Sequence, residues 1–350
     1  LTIPSSVTFI ASHAIERCPS LKNIIVDGAN KKFVSEGNCI IDVKKKTLIF
    51  GNAGSVIPQD GSVTAIGGGA FTACKELTSI VVPEGITSIG ANAFEWCANL
   101  ESVTLPESLT EICGSAFLGC ENLKEIRLPK NLTSIGPEAF KDCRALKSIT
   151  IPENVANIGA HAFENCVNLT KINYNAIKCG EIRHAFKCAG KNTDGIAVTI
   201  GDKVRELPDG LFSAAEVPYY LYDESIYDVS DYVAYVKSVN FAEGCVCERI
   251  GEDAFRACLT LETITLPNSL LTIERDAFNR CKNLKKITIP KSVKNVGFMA
   301  FYKCEKLNEV VIEGRLEEMG KRVFEDCTQL KSITAPEGLP NPAGDELSKI

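Results

Sequence analysis

Sixteen cysteines and three histidines are the residues of this 350-residue chain that could hold a metal, exchange disulfides or act as nucleophiles. Their spacing argues against most of that chemistry. Ten of the cysteines (Cys18, Cys74, Cys97, Cys120, Cys143, Cys166, Cys258, Cys281, Cys304 and Cys327) occupy one column of a repeat, and successive members are mostly 23 residues apart. Zinc sites draw on closely spaced ligand pairs, which such a column does not supply. A thiol that recurs at one inward position packs as a small hydrophobe. The column therefore reads as a ladder of buried thiols, with bridges between neighbouring coils as the alternative. Cys39, Cys113, Cys179, Cys188, Cys245 and Cys247 fall outside it. Cys245 and Cys247 would share one face of a strand, but a lone CxC specifies no metal.

His13, His161 and His184 all stand two residues before the aromatic position of the repeat. The same position elsewhere holds Asn92, Ser115, Glu138, Asp253 and Arg322, so an exposed variable site accounts for all three histidines. The chain has no GxSxG, HExxH or GxxxxGK[ST] motif, the signatures of nucleophile, zinc and phosphate chemistry. Gly67–Gly69 sits where the repeat ordinarily has glycine. No catalytic set, cofactor site or metal site emerges, and the chain reads as non-enzymatic.

The elements that position these residues are coils of one repeat, seen in Pro129–Ile151, PKNLTSIGPEAFKDCRALKSITI. Its aromatic, Phe140, aligns with Phe71, Phe94, Phe117, Phe163, Phe255, Phe278, Phe301 and Phe324, with Ile15 as an imperfect member. Alanine precedes nearly all of them, cysteine follows three positions later and leucine three beyond that. In LKSITI, Ile149 and Ile151 alternate with Ser148 and Thr150, the spacing of a half-buried strand. Proline then ends the strand, since it cannot donate to a continuing ladder. A second short extended piece buries Val155 and Ile158, and glycine allows a turn. Ala162, Phe163 and Cys166 share a face at one-turn spacing, which predicts a short helix or 3₁₀ segment.

A fixed period in the twenties is the signature of a solenoid, in which stacking the coils makes one continuous core. The expected core columns are Phe94, Phe117, Phe140, Phe163, Phe278 and Phe301 with Cys97, Cys120, Cys143, Cys166, Cys281 and Cys304. The expected fold is a single solenoid over residues 1–350, with a parallel sheet on one face and short helical or 3₁₀ turns on the other.

The pattern I-x-h-P-x-x-h-x-x-I-G-x-x-A-F-x-x-C-x-x-L, written in full at Ile151–Leu169, resembles the BspA-like class of leucine-rich repeats. The resemblance covers nearly the whole chain. It implies a right-handed leucine-rich-repeat solenoid, a setting on the surface of host-associated microbes, and a recognition role.

Two stretches break the period. Residues 27–63 contain the strand-like runs NCIIDV and TLIFG joined by Lys44–Lys46, which predicts a β-hairpin projecting from a coil, its lysines keeping the tip solvated. Residues 174–250 hold degenerate coils, and the 92 residues from Phe163 to Phe255 leave room for three between those aromatics. Within them Tyr219, Tyr220, Tyr222, Tyr227, Tyr232 and Tyr235 accompany Asp223, Glu224, Asp228 and Asp231. Tyrosine gives binding surfaces large contact area at low entropy cost, so this segment is a candidate partner site; the alternative is that the rings patch a degenerate core. A second candidate is the exposed strand column Thr104, Arg127, Thr150, Asn173, Thr265, Thr288 and Thr334.

The net charge of -6 gives no attraction for nucleic acid. No run approaches the ~18 apolar residues of a membrane helix. The chain begins LTIP inside a repeat and reads as a piece of a longer protein, so the lack of a leader says nothing about compartment. The expected function is a non-catalytic surface or secreted module that binds a host or matrix protein or glycan. The alternative is a structural spacer of a larger surface protein.

Overall fold

The structure, a computed structural model, describes residues 1–11, 14–15, 18, 21–213 and 233–337. It is a parallel-strand solenoid of about 13 coils with about 23 residues per turn. The chain divides into two compact units, residues 1–167 and 168–350.

Each coil contributes two short strands, because its apolar residues alternate only briefly before proline or glycine intervenes. Ser148–Ile151 runs exposed, buried, exposed, buried, and Ser134–Ile135 buries only its isoleucine. Strands of successive coils pair in parallel, in register except for an irregularity at Ile196/Ala197 where Ile196–Ile200 meets Val236–Phe241. In unit 1 one seam aligns Ile66, Ile89, Ile112, Ile135 and Ile158, and the other aligns Ile80, Val103 and Ile126. This register places like residues on like residues. The phenylalanines from Phe71 to Phe163 consequently stack face to face, with centroids 5.0–5.3 Å apart and planes within 9°.

The segment around each phenylalanine is not helical, contrary to the sequence expectation. No helix occurs among the described residues. The reason lies in the backbone: residues two before and two after the aromatic are left-handed, as at Glu138 (φ 55°) and Asp142 (φ 58°). A right-handed helix cannot run through such residues. The coil instead makes consecutive turns, with Ala139 N–H donating to Gly136 O (3.3 Å) and Lys141 N–H to Glu138 O (3.0 Å). The intervening amides leave the coil. Glu138, Phe140 and Asp142 donate to Ala160 O (2.9 Å), Ala162 O (2.7 Å) and Glu164 O (2.8 Å) of the following coil. One-turn side-chain spacing was legible in the sequence, but its cause is this second ladder.

Residues 27–63 form an antiparallel set. Phe33–Glu36 pairs with Cys39–Asp42, which pairs with Thr47–Phe50. Thr47–Phe50 then hands over to the parallel seam through Ala65–Ile66. The hairpin does not project as a whole: Cys39–Asp42 is buried along its length, and only the tip with Lys44–Lys46 is exposed.

Unit 2 continues the same plan. Lys171–Tyr174, Ile196–Ile200, Val236–Phe241 and Thr263–Ile264 pair in parallel, as do Glu206–Leu207, Arg249–Ile250, Thr272–Ile273, Asn295–Val296 and Glu318–Met319. Phe212 stacks directly on Phe255 at 5.7 Å, and Phe186 meets Phe212 at 5.1 Å with the rings tilted by 40°. Among the described residues, Phe186 and Phe212 are the rings that lie ahead of Phe255 in this stack, in the stretch where the residue count leaves room for three coils.

Candidate functional site

The thiol column is structural. Cys97, Cys120, Cys143 and Cys166 donate to the carbonyls of Phe71, Phe94, Phe117 and Phe140 at 3.0–3.3 Å, and Cys281, Cys304 and Cys327 repeat this in unit 2 at 3.2 Å. From Cys97 to Cys327 no column member is bridged, which removes the disulfide alternative. Burial holds the thiols well above the ordinary range, so thiolate chemistry is suppressed. Cys245 donates to Gly201 O at 3.4 Å and Cys247 to Arg249 O at 3.4 Å; burial pushes Cys247 up to about 12. Among the described residues no group of histidine, cysteine and carboxylate side chains could hold a metal.

The histidine position is one of the left-handed turn residues. His161 (φ 60°) places Nδ1 3.0 Å from Glu164 Oε2, which Lys141 also meets at 3.1 Å. His184 (φ 53°) belongs to the other unit, and His13 lies outside the described residues.

The strand column faces solvent as expected: Thr104, Arg127, Thr150, Thr265 and Thr334 are exposed, Asn173 and Thr288 half-buried. Its charges are largely answered from neighbouring coils. Arg127 pairs with Glu107 and Lys124 with Glu101, each at 2.7 Å; Lys286 pairs with Glu309 at 2.7 Å in unit 2. Exposed pairs of this kind contribute little to stability, but they leave the face near neutral.

Of the six tyrosines, Tyr219, Tyr220, Tyr222, Tyr227 and Tyr232 lie outside the described residues. Tyr235 is half-buried against Val233 and Ala257. Its N–H donates to Ala189 O (3.0 Å) and its carbonyl accepts from Ile196 N–H (2.7 Å).

The sequence reading missed a polar cleft of about 450 Å³ in unit 2, lined by His184, Asp209, Ser213, Glu252 and Asp253 among others. Arg249 organises it, meeting Asp209 at 2.7 Å and Glu274 at 2.9 Å. Asp209 also accepts from Glu252 N–H at 2.8 Å. Burial, opposed by Arg256 and reinforced by Asp276 and Glu252, raises the Asp253 carboxyl to about 6. These carboxylates are engaged with arginines and a backbone amide, an arrangement that braces the degenerate coils. One sequence signal pointed here: Arg249 is the one cation in a column that elsewhere holds Ala65, Ser88, Glu111, Ser134, Asn157, Glu206, Thr272, Asn295 and Glu318.

The BspA type leucine rich repeat region matches residues 64–188 and 224–341 in 6 copies, more than half of the chain. Comparison with curated proteins gives no match. Among solved structures, the chain is similar to a leucine-rich repeat protein from Bacteroides ovatus (24% identity over 86% of this chain and 85% of that one, TM-score 0.39). It is also similar to a leucine rich cell surface protein from Faecalibacterium prausnitzii (24% identity, 87% and 86%, TM-score 0.36). The pneumococcal vaccine antigen PcpA is a further likeness (23% identity, 86% and 76%, TM-score 0.43). With the repeat matched by family and its columns accounted for in the coils, the chain belongs to the BspA-type leucine-rich repeat proteins.

Proposed function

We propose that the chain is a non-catalytic recognition module of a cell-surface or secreted protein, engaging host or extracellular-matrix macromolecules through its solenoid. Membership of the BspA-type repeat family carries this reading. It is supported by the division of labour within each coil. The repeated columns are used up in packing, while the strand column is largely exposed and the turn position two before the aromatic changes residue type from coil to coil, as in solenoids that bind along a face. Immobilised extracellular-matrix proteins should retain the purified chain in a concentration-dependent, saturable way. Retention no greater than on a blank surface would refute the reading. The near-neutral strand face, with Glu101–Lys124 and Glu107–Arg127 satisfied internally, favours a second reading: a spacer within a larger surface protein. A spacer would capture nothing specifically.

A further inference from the structure

The chain has one tryptophan, Trp96, and the coil gives it no packing task. It stands two residues after Phe94 at a left-handed turn position (φ 57°) and is 43% exposed. Equivalent positions in neighbouring coils hold Ala73, Asp142 and Asn165, so the scaffold does not ask for a ring there. The next coil nevertheless makes room for one. Its equivalent residue is Gly119, where a Cβ would fall 2.4 Å from Cε3 and 2.9 Å from Cδ2 of the indole. The six-membered ring thus rests on bare glycine backbone, and the side chain remains accessible to solvent. Among the described residues no other ring or cation stacks on it.

The surroundings decide what such a plate suits. Glu95 is held by Asn92 Nδ2 at 3.0 Å. Asn99 and Asn122 are exposed on successive coils, with Asn122 Nδ2 3.4 Å from Asn99 Oδ1. A protein partner requires a broad patch of roughly 800 Å² with several anchors; here a single exposed ring stands on a coil that also carries Glu95 and the exposed Asn99, with exposed Asn122 on the next coil. A pyranose with equatorial substituents fits that pattern, since its axial C–H bonds lie against an aromatic face while its hydroxyls reach polar groups at the rim. Coil spacing agrees: the Phe94 and Phe117 rings are 5.2 Å apart, close to the rise of one sugar in an extended β-1,4-linked chain.

We propose that Trp96, seated on Gly119, is a stacking platform for a β-1,4-linked glycan of glucose or N-acetylglucosamine type, lying along the coils past Asn99 and Asn122. The platform rests on the recognition reading and gives it a ligand class. Trp96 is the only tryptophan, so its emission reports on the site directly. Titration with chitohexaose or with cellohexaose should produce a saturable change in emission. By calorimetry, Trp96→Ala should weaken binding at least about fivefold and Trp96→Phe much less, with thermal midpoints confirming that both variants fold. No emission change and no heat with either sugar overturns the proposal, as does a Trp96→Ala variant that binds like the parent. Matrix-protein capture without any sugar response overturns the platform alone. Sugar binding without matrix-protein capture upholds the platform and refutes the protein-binding part of the recognition reading.

Discussion

Phe140→Ala tests the central packing argument. Phe140 is fully buried and lies between Phe117 and Phe163, each 5.3 Å away and nearly parallel. Truncating a buried phenylalanine costs about 3–5 kcal/mol, depending on how far the site collapses. Here collapse is resisted on both sides. Phe117 N–H holds Ala139 O at 2.8 Å, and Phe140 N–H holds Ala162 O at 2.7 Å, so the turn ladder keeps the coil walls apart. The loss should therefore lie near 5 kcal/mol, the upper end of that range of about 3–5. Phe324→Ala supplies the contrast. Phe324 is 8% exposed and, among the described residues, stacks on Phe301 alone; its truncation should cost about 3 kcal/mol or less. Urea unfolding followed by circular dichroism would read both. With a slope of about 1–3 kcal/mol/M, Phe140→Ala should lower the midpoint by more than about 1.5 M. An unchanged midpoint, or equal losses for the two variants, would refute the view that the aromatic stack is the rigid centre of each coil.

Asp253 links stability to pH. Its folded-state value of about 6 lies above the ordinary 3.8, so the fold favours the protonated form, and that contribution is full below pH ~4 and lost as pH rises through about 6. Asp253→Asn should gain at most about 3 kcal/mol at pH 7.5 and nothing at pH 4, checked by melting at both values. Glu138→Pro should cost about 3 kcal/mol or more, because proline cannot adopt the positive φ and removes the donor to Ala160; a melting temperature equal to the parent's would contradict the turn ladder. A thiol reagent at neutral pH should leave Cys120, Cys143, Cys166 and Cys281 unmodified until denaturant is added, while Cys18, which is exposed, reacts in the native state. Rapid modification of the column without unfolding would refute its burial.

Much of this architecture was legible because the repeat writes each core position many times. The proline stop, the inward isoleucine, the phenylalanine and the thiol all report packing that a 23-residue register stacks upon itself. What could not be read was backbone handedness. Glu138, His161, Asp253 and Arg322 share a left-handed conformation but no chemistry, so composition offered no sign that the segment turns rather than coils into a helix. The cleft around Arg249 was hidden for a different reason. Asp209, Arg249 and Glu274 are far apart in the chain and meet only after degenerate coils have stacked. The seat of Trp96 on Gly119 exists only once two coils 23 residues apart have stacked, so no local pattern announces it.

The turn ladder carries an electrostatic consequence. In the strands, neighbouring amides point opposite ways along the array: Glu101 N–H reaches back to Thr78 O, while Val82 N–H reaches ahead to Thr104 O. Their dipoles cancel. Around the phenylalanine they do not. The peptide units 91–92, 93–94 and 95–96 all direct N–H toward Gly114, Ala116 and Leu118 of the following coil, and all accept from Gly69, Phe71 and Ala73 of the preceding one. Three aligned peptide dipoles per coil add along the stack as they do in a helix. Each bonded amide also polarises the next. The edge bearing Trp96 is therefore electrically directional, positive toward later coils, in a unit whose described residues include no helix.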